Sequence, residues 1–160
     1  MEWEVGRADL PLLPLSRIAN RIAMTVTRVT HTPAAAELIG RLRAAHGDLL
    51  FHQSGGCCDG SAPMCYPRGE FRIGQRDVYL GEIAGCPFYI SGPQFEYWQH
   101  THLIIDAVPG RGSGFSIEAP EGMRFLTRSR VFTDTENDEL ERSGPAPRGP
   151  EAMSPAPARA

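Results

Sequence analysis

The chain contains no lysine; all sixteen of its basic residues are arginine. Schiff-base chemistry and a lysine general base are thereby excluded, because both need an amine that can lose its proton near neutral pH. An excess of positive charge is missing too. With a net charge of −3 the chain has no electrostatic footing on a nucleic-acid backbone, where affinity comes from clustered cations, and nucleic acid is not an expected partner. No apolar run approaches the roughly 20 residues of a bilayer-spanning helix, so no membrane partner is expected either. The start lacks the positive-then-apolar order of a secretory signal, since Glu2, Glu4 and Asp9 precede a Leu/Pro patch that Pro11 and Pro14 break. The expectation is a cytoplasmic protein, and in a reducing compartment four cysteines are more often free, metal-bound or redox-active than paired. A phosphate-binding loop is absent as well. The G-R-G-S-G run at 110–114 lacks the Lys-Ser/Thr of a P-loop and joins two expected strands.

What the chain does contain is the patterning of one globular domain. At 160 residues and 41% hydrophobic content it can build a real core. Its ends read as peripheral. Residues 1–23 are an expected N-terminal extension, because regular patterning starts only after Met24. Residues 141–160 are an expected disordered tail, since Ser143 to Ala160 holds five prolines and almost nothing to bury. Between them, residues 24–140 form the expected domain. Thr25 to Val29 alternates as a short strand. Thr32-Pro33 then opens a helix in which Ala35, Leu38, Ile39 and Leu42 recur at helical spacing until His46-Gly47 stops it. Strands are expected at Leu49–His52, Glu70–Ile73, Asp77–Leu80, Cys86–Ile90, His102–Val108, Phe115–Glu118 and Arg124–Phe132, with a helical turn at Pro93–Tyr97. One N-terminal helix followed by many short strands predicts an α+β, mainly β, fold.

The chemistry concentrates in Phe51 to Pro67, F-H-Q-S-G-G-C-C-D-G-S-A-P-M-C-Y-P, which packs three of the four cysteines, a histidine and three glycines into seventeen residues. Gly55, Gly56 and Gly60 let the backbone turn sharply around whatever the sulfurs hold. Cys57, Cys58, Cys65 and His52 are the loop's candidate metal ligands. His100 and His102 join them, because residues two apart on a strand point to one face and would present two imidazoles together. Thiolate with imidazole suits iron, copper or zinc better than magnesium or calcium. Asp106 is a candidate for orienting a ligand histidine. Each residue also has a plainer reading: Cys86 packs in an apolar strand, and the two histidines form a surface pair at a strand end.

The order of these motifs resembles that of the HesB-like A-type iron–sulfur carriers. The shared run is the helix T-P-A-A-A-E-L-I, then G-G-C-C-D-G, then Y-W-Q-H-T-H-L-I-I-D-A-V, then G-S-G-F-S-I-E-A-P-E. The double-cysteine loop and the H-T-H strand entry resemble more closely a small uncharacterised bacterial family, a domain of unknown function often encoded beside aldehyde dehydrogenases. These likenesses imply a compact HesB-like β-rich fold and a link to aldehyde metabolism. Only Cys57 falls on a carrier ligand position, because the carriers' C-terminal C-x-C pair is replaced here by M-R-F-L-T-R-S-R-V-F.

Three functions are consistent with these residues. The first and favoured one is a metal-binding accessory protein that holds iron, copper or zinc, with an iron–sulfur cluster as a further option, for a partner such as an aldehyde dehydrogenase. The second is a small mononuclear metalloenzyme acting on an aldehyde or other small substrate. The third is an interaction module whose thiols are structural. A homo-oligomer is expected in which loop and strand ligands from different subunits complete one site.

Overall fold

The structure, a computed structural model, describes residues 26–54, 62–112 and 116–153. The expected extension at 1–23 and the adjacent candidate ligands Cys57 and Cys58 lie outside the described residues. Helix α1, Pro33–His46, forms where its sequence places it. Thr32 is its extended N-cap and accepts the Ala35 amide at 3.2 Å, while Pro33 fills the first turn, where no amide hydrogen is needed. Gly47 ends it with a positive φ of 81° and donates its amide to the Arg43 carbonyl at 2.9 Å. The buried stripe is Ala35, Leu38, Ile39 and Leu42.

Seven strands follow the chain: β1 Val29–His31, β2 Leu49–Gln53, β3 Met64–Pro67, β4 Val78–Ile83, β5 Cys86–Ile90, β6 Thr101–Pro109 and β7 Met123–Val131. Two further helices are α2, Gly92–Trp98, and α3, Asp134–Ser143. The strands form two mixed sheets, ordered β1-β6-β7 and β3-β2-β5-β4. In each sheet one parallel pair, β1 with β6 or β2 with β5, is flanked by antiparallel pairing. The two-residue turn from β4 to β5 uses Ala84 and Gly85, both with positive φ, which is the twist a tight hairpin requires. The fold is therefore α+β with more strand than helix.

The inner faces of both sheets share one core with the stripe of α1. Phe51 meets Phe88 at 6.1 Å within its sheet and Phe125 of the other sheet edge-on at 5.0 Å. A second, smaller cluster covers the outer face of the four-stranded sheet, where Leu50, Ile73 and Tyr89 pack with Phe71, Tyr79 and Met153. Strand β2 lies between the two clusters, and all five of its residues are buried.

The structure departs from the sequence reading in five places. The helical turn expected at Pro93–Tyr97 is not one of them, since it forms as α2. Glu70–Ile73 is not a strand; it crosses the outer sheet face, so its apolar residues are buried by covering a sheet instead of pairing in one. Ser116–Glu118 is a turn, and strand β3 occupies Met64–Pro67, which the sequence reading left inside the cysteine loop. Helix α3 follows Thr133, which forms a capping box with Glu136. Finally, residues 144–153 are not a disordered tail. They cap the open edge of β4, with the Tyr79 amide donating to the Pro147 carbonyl and the Gly149 amide to the Asp77 carbonyl, each at 2.9 Å. The Tyr89 hydroxyl, buried in the outer cluster, donates to the Gly149 carbonyl at 2.8 Å. Proline is compatible with this strap because only its carbonyl is used. Residues 154–160 lie outside the described residues.

Deleting residues 144–160 is expected to destabilise the protein by on the order of 3 kcal/mol, from three lost hydrogen bonds at about 1 kcal/mol each. The shift of the urea unfolding midpoint measures it, and an unchanged midpoint would show that the strap contributes nothing.

Candidate thiol and metal site

Strands β2 and β3 run antiparallel, with Phe51 opposite Cys65 and His52 opposite Met64. They carry the chain into and out of the segment that holds Cys57 and Cys58. Because side chains alternate along a strand, Phe51, Gln53 and Cys65 share the inner face while Leu50 and His52 share the outer one. Cys65 and His52, both candidate ligands, therefore point away from each other.

The free edge of β3 gathers a buried polar group around Cys65. The Cys65 amide donates to the Ser116 hydroxyl at 2.9 Å, and its carbonyl accepts the Ile117 amide at 3.1 Å. The Ser116 hydroxyl in turn donates to the carboxyl group of Glu118, which is only 2% exposed. Burial pushes the Glu118 carboxyl above the usual glutamate range, against hydrogen bonds from Ser116 and from backbone amides that lower it. The Cys65 thiol is also pushed up, first by burial and then by the nearby Glu118 and Cys86. It is held as a thiol, not as a nucleophilic thiolate. Cys86, free and buried in the core cluster, is raised to about 11 by burial, against the pull of Arg43. On the inner face, Gln53 accepts the Thr127 hydroxyl at 2.7 Å, and its buried Nε2 has no partner among the described residues.

The histidines are arranged differently from the side-by-side pair expected. Strand β6 begins at Thr101, so His100 lies in the turn ahead of it and is exposed, whereas His102 is buried. Both ring nitrogens of His102 are engaged, Nε2 with the Thr30 hydroxyl and Nδ1 with the Thr27 carbonyl, each at 2.8 Å. In this arrangement no lone pair is left for a metal. His52 Nε2 lies 3.0 Å from Asp77 Oδ1, off the line of an N–H···O hydrogen bond, and its ring packs 4.6 Å from Phe71. Asp106 does not orient a histidine. It accepts the Thr32 hydroxyl at 2.7 Å, the Arg128 guanidinium at 2.9 Å and the Ala107 amide at 2.8 Å, and the first two hold its carboxyl below the usual range. Among the described residues no three His, Cys, Asp or Glu side chains converge to hold a metal.

The family described as "Domain of unknown function (DUF779)" matches residues 38–131. The chain belongs to that family. The DUF779 span opens inside α1 and closes at the end of β7, so it includes the β2–β3 loop, Cys65, Ser116 and Glu118, while β1, α3 and the C-terminal strap fall outside it. No curated protein matches the chain. Glu118 and Ser116 were not among the candidate residues. Their signal was the run S-I-E ahead of a Pro-Glu-Gly turn, which reads as a strand end until the Ile117 amide is seen to bond β3.

Glu118 also predicts a pH dependence. Its folded pKa is raised, so its contribution to stability is complete below the ordinary glutamate value of about 4.3 and is lost as pH rises through the folded value. Glu118→Gln removes that dependence. In urea unfolding, the variant is expected to gain on wild type on going from about pH 4 to about pH 7, and a constant difference between the two proteins would contradict the assignment.

Proposed function

We propose that this protein is a metal-binding accessory protein that holds a transition metal, iron, copper or zinc, through its cysteine loop for a partner enzyme. The likeness to a family encoded beside aldehyde dehydrogenases makes such an enzyme the proposed partner, and an iron–sulfur cluster is one form the metal would take. The observation that carries the reading is the position of Cys65. Its thiol is on the inner face of the strand that leaves the loop, and its backbone amide is tied through Ser116 to a buried carboxyl group that has no cationic partner among the described residues. A thiol and a carboxyl group in a site closed to water supply soft and hard donors, and a bound cation would favour deprotonation of both against the desolvation that raises their pKa values. The carriers that the chain resembles bring a Gly-Gly-Cys loop close to a metal, which supports the same assignment.

The histidines fit this shell poorly. His102 is already bonded at both nitrogens, and His52 faces the opposite side of the sheet. The proposal therefore places the ligand role on Cys57, Cys58 and Cys65. A second reading, an interaction module with structural thiols, is favoured by the burial of the free Cys65 and Cys86.

Elemental analysis and absorption spectra of protein purified without air separate the two readings. The metal reading expects bound iron, copper or zinc in wild type, most of it lost in Cys57→Ser and in Cys58→Ser. It expects occupancy to be kept in His100→Ala. His102→Ala should instead lose stability by roughly 2 kcal/mol, the cost of orphaning the Thr30 and Thr27 groups. Metal-free wild type, or full occupancy in both cysteine variants, would overturn the proposal in favour of structural thiols.

A further inference from the structure

Arg28 stands ahead of β1, half-buried, with its guanidinium carbon 5.3 Å from the centre of the Phe95 ring. It donates to the Gln99 carbonyl at 3.2 Å. No carboxylate pairs with it among the described residues, and burial alone lowers its pKa from the ordinary arginine value. A guanidinium has five N–H donors, so one neutral acceptor leaves most of its hydrogen-bonding capacity open. A second guanidinium, that of Arg148, lies 5.9 Å from the same ring and donates to the Arg76 carbonyl. Two guanidinium groups thus lie near one ring.

Arg28 also lines a cleft of about 500 Å³ formed with α3 and the turn ahead of β6. Gln99, His100 and Asn137 supply polar groups to the cleft, and Leu140, the only aliphatic residue of α3, supplies an apolar one. Glu141 lines it too. That carboxylate repels a dianion such as phosphate more strongly than a singly charged ligand. We propose that this cleft binds a small aliphatic monocarboxylate, with Arg28 as the ion-pair partner of the carboxylate, His100 and Asn137 as hydrogen-bonding neighbours, and Leu140 against the alkyl chain. Arginine's planar fork matches a carboxylate in two parallel hydrogen bonds. The proposal stands apart from the cysteine loop and gives His100 a role outside any metal shell.

The test is titration of the ¹⁵N-labelled full chain with butyrate, butyramide and inorganic phosphate, following the side-chain amides of Asn137 and Gln99 by NMR. Butyrate is expected to give saturable shifts, with neither butyramide nor phosphate matching them. A charge-assisted hydrogen bond contributes about 1.5–3 kcal/mol, so Arg28→Gln is expected to weaken butyrate at least about tenfold. Absence of saturable shifts with butyrate, equal binding of butyramide or phosphate, or unchanged butyrate binding in a folded Arg28→Gln would each overturn it. If Arg28→Gln fails to fold, Asn137→Leu takes its place. Weakened butyrate binding in that variant supports the proposal and unchanged binding overturns it.

Discussion

Burial of β2 on both faces is the constraint from which the rest of the structure follows. A strand flanked by β3 and β5 has its backbone groups paired, and burying its side chains then requires a cover on each side. The inner cover comes from α1 and the three-stranded sheet, the outer from Phe71, Ile73 and Met153. Burying each large apolar side chain contributes about 1.5–3 kcal/mol. Register is correspondingly strict, because slipping β2 by one residue would exchange Phe51 with His52 and drive an imidazole into the aromatic core. The same strictness fixes where the chain enters and leaves the cysteine loop.

The buried and half-buried polar groups divide by whether their partners are complete. Asp106 is complete: its carboxylate takes one hydroxyl, one guanidinium and one amide, and since Thr32 also caps α1, this group joins helix, β6 and β7. His102 is complete in the same sense, and both read as architecture. Gln53 is not complete, and Glu118, although bonded by Ser116 and backbone amides, has no cationic partner among the described residues. One has an amide nitrogen without a partner among the described residues, and the other is a carboxyl group that burial pushes toward its neutral form. Buried groups left short of partners are costly. Gln53 lies on the inner face at the end of the strand that enters the cysteine loop, and Glu118 lies beside the free edge of the strand that leaves it. That coincidence weighs more for function than any histidine spacing.

The parts of the fold that sequence made legible are those with local causes. Helix α1 had a cap, a proline at its first turn, a full apolar stripe and a glycine stop, and all four appear in the structure. Strands β2, β5 and β6 are legible as apolar runs, and β4 and β7 form close to the expected Asp77–Leu80 and Arg124–Phe132. Helix α3 is not legible in this way, because D-T-E-N-D-E-L-E-R-S has a single aliphatic residue and no stripe to detect. Its one local signal is the T-x-x-E capping box at Thr133. Strand β3 and the strap at 144–153 depend on partners distant in sequence, and composition alone misread both. For the site, the sequence identified the loop and Cys65, but it cannot report which face a strand presents. The separation of His52 from Cys65, and the saturation of His102 by Thr27 and Thr30, required the register.

The lack of lysine acquires a structural meaning at several of these positions. Arg130 holds Glu136 with two nitrogens at 2.9 and 2.8 Å, and that pairing together with the Thr133 amide brings the Glu136 carboxyl down to about 2. Arg28 bonds a carbonyl while its plane lies near an aromatic ring, and Arg43 reaches the Ala84 carbonyl at 3.0 Å with Asp48 3.6 Å from another of its nitrogens. Arg130 and Arg43 each use two nitrogens of one planar fork, and Arg28 uses one nitrogen and the face of its fork. A lysine ammonium, compact and strongly hydrated, would make one of the two contacts and forfeit the other. Replacing these arginines with lysine would therefore preserve net charge while loosening the cap of α3, the support of Phe95 and the turn between β4 and β5.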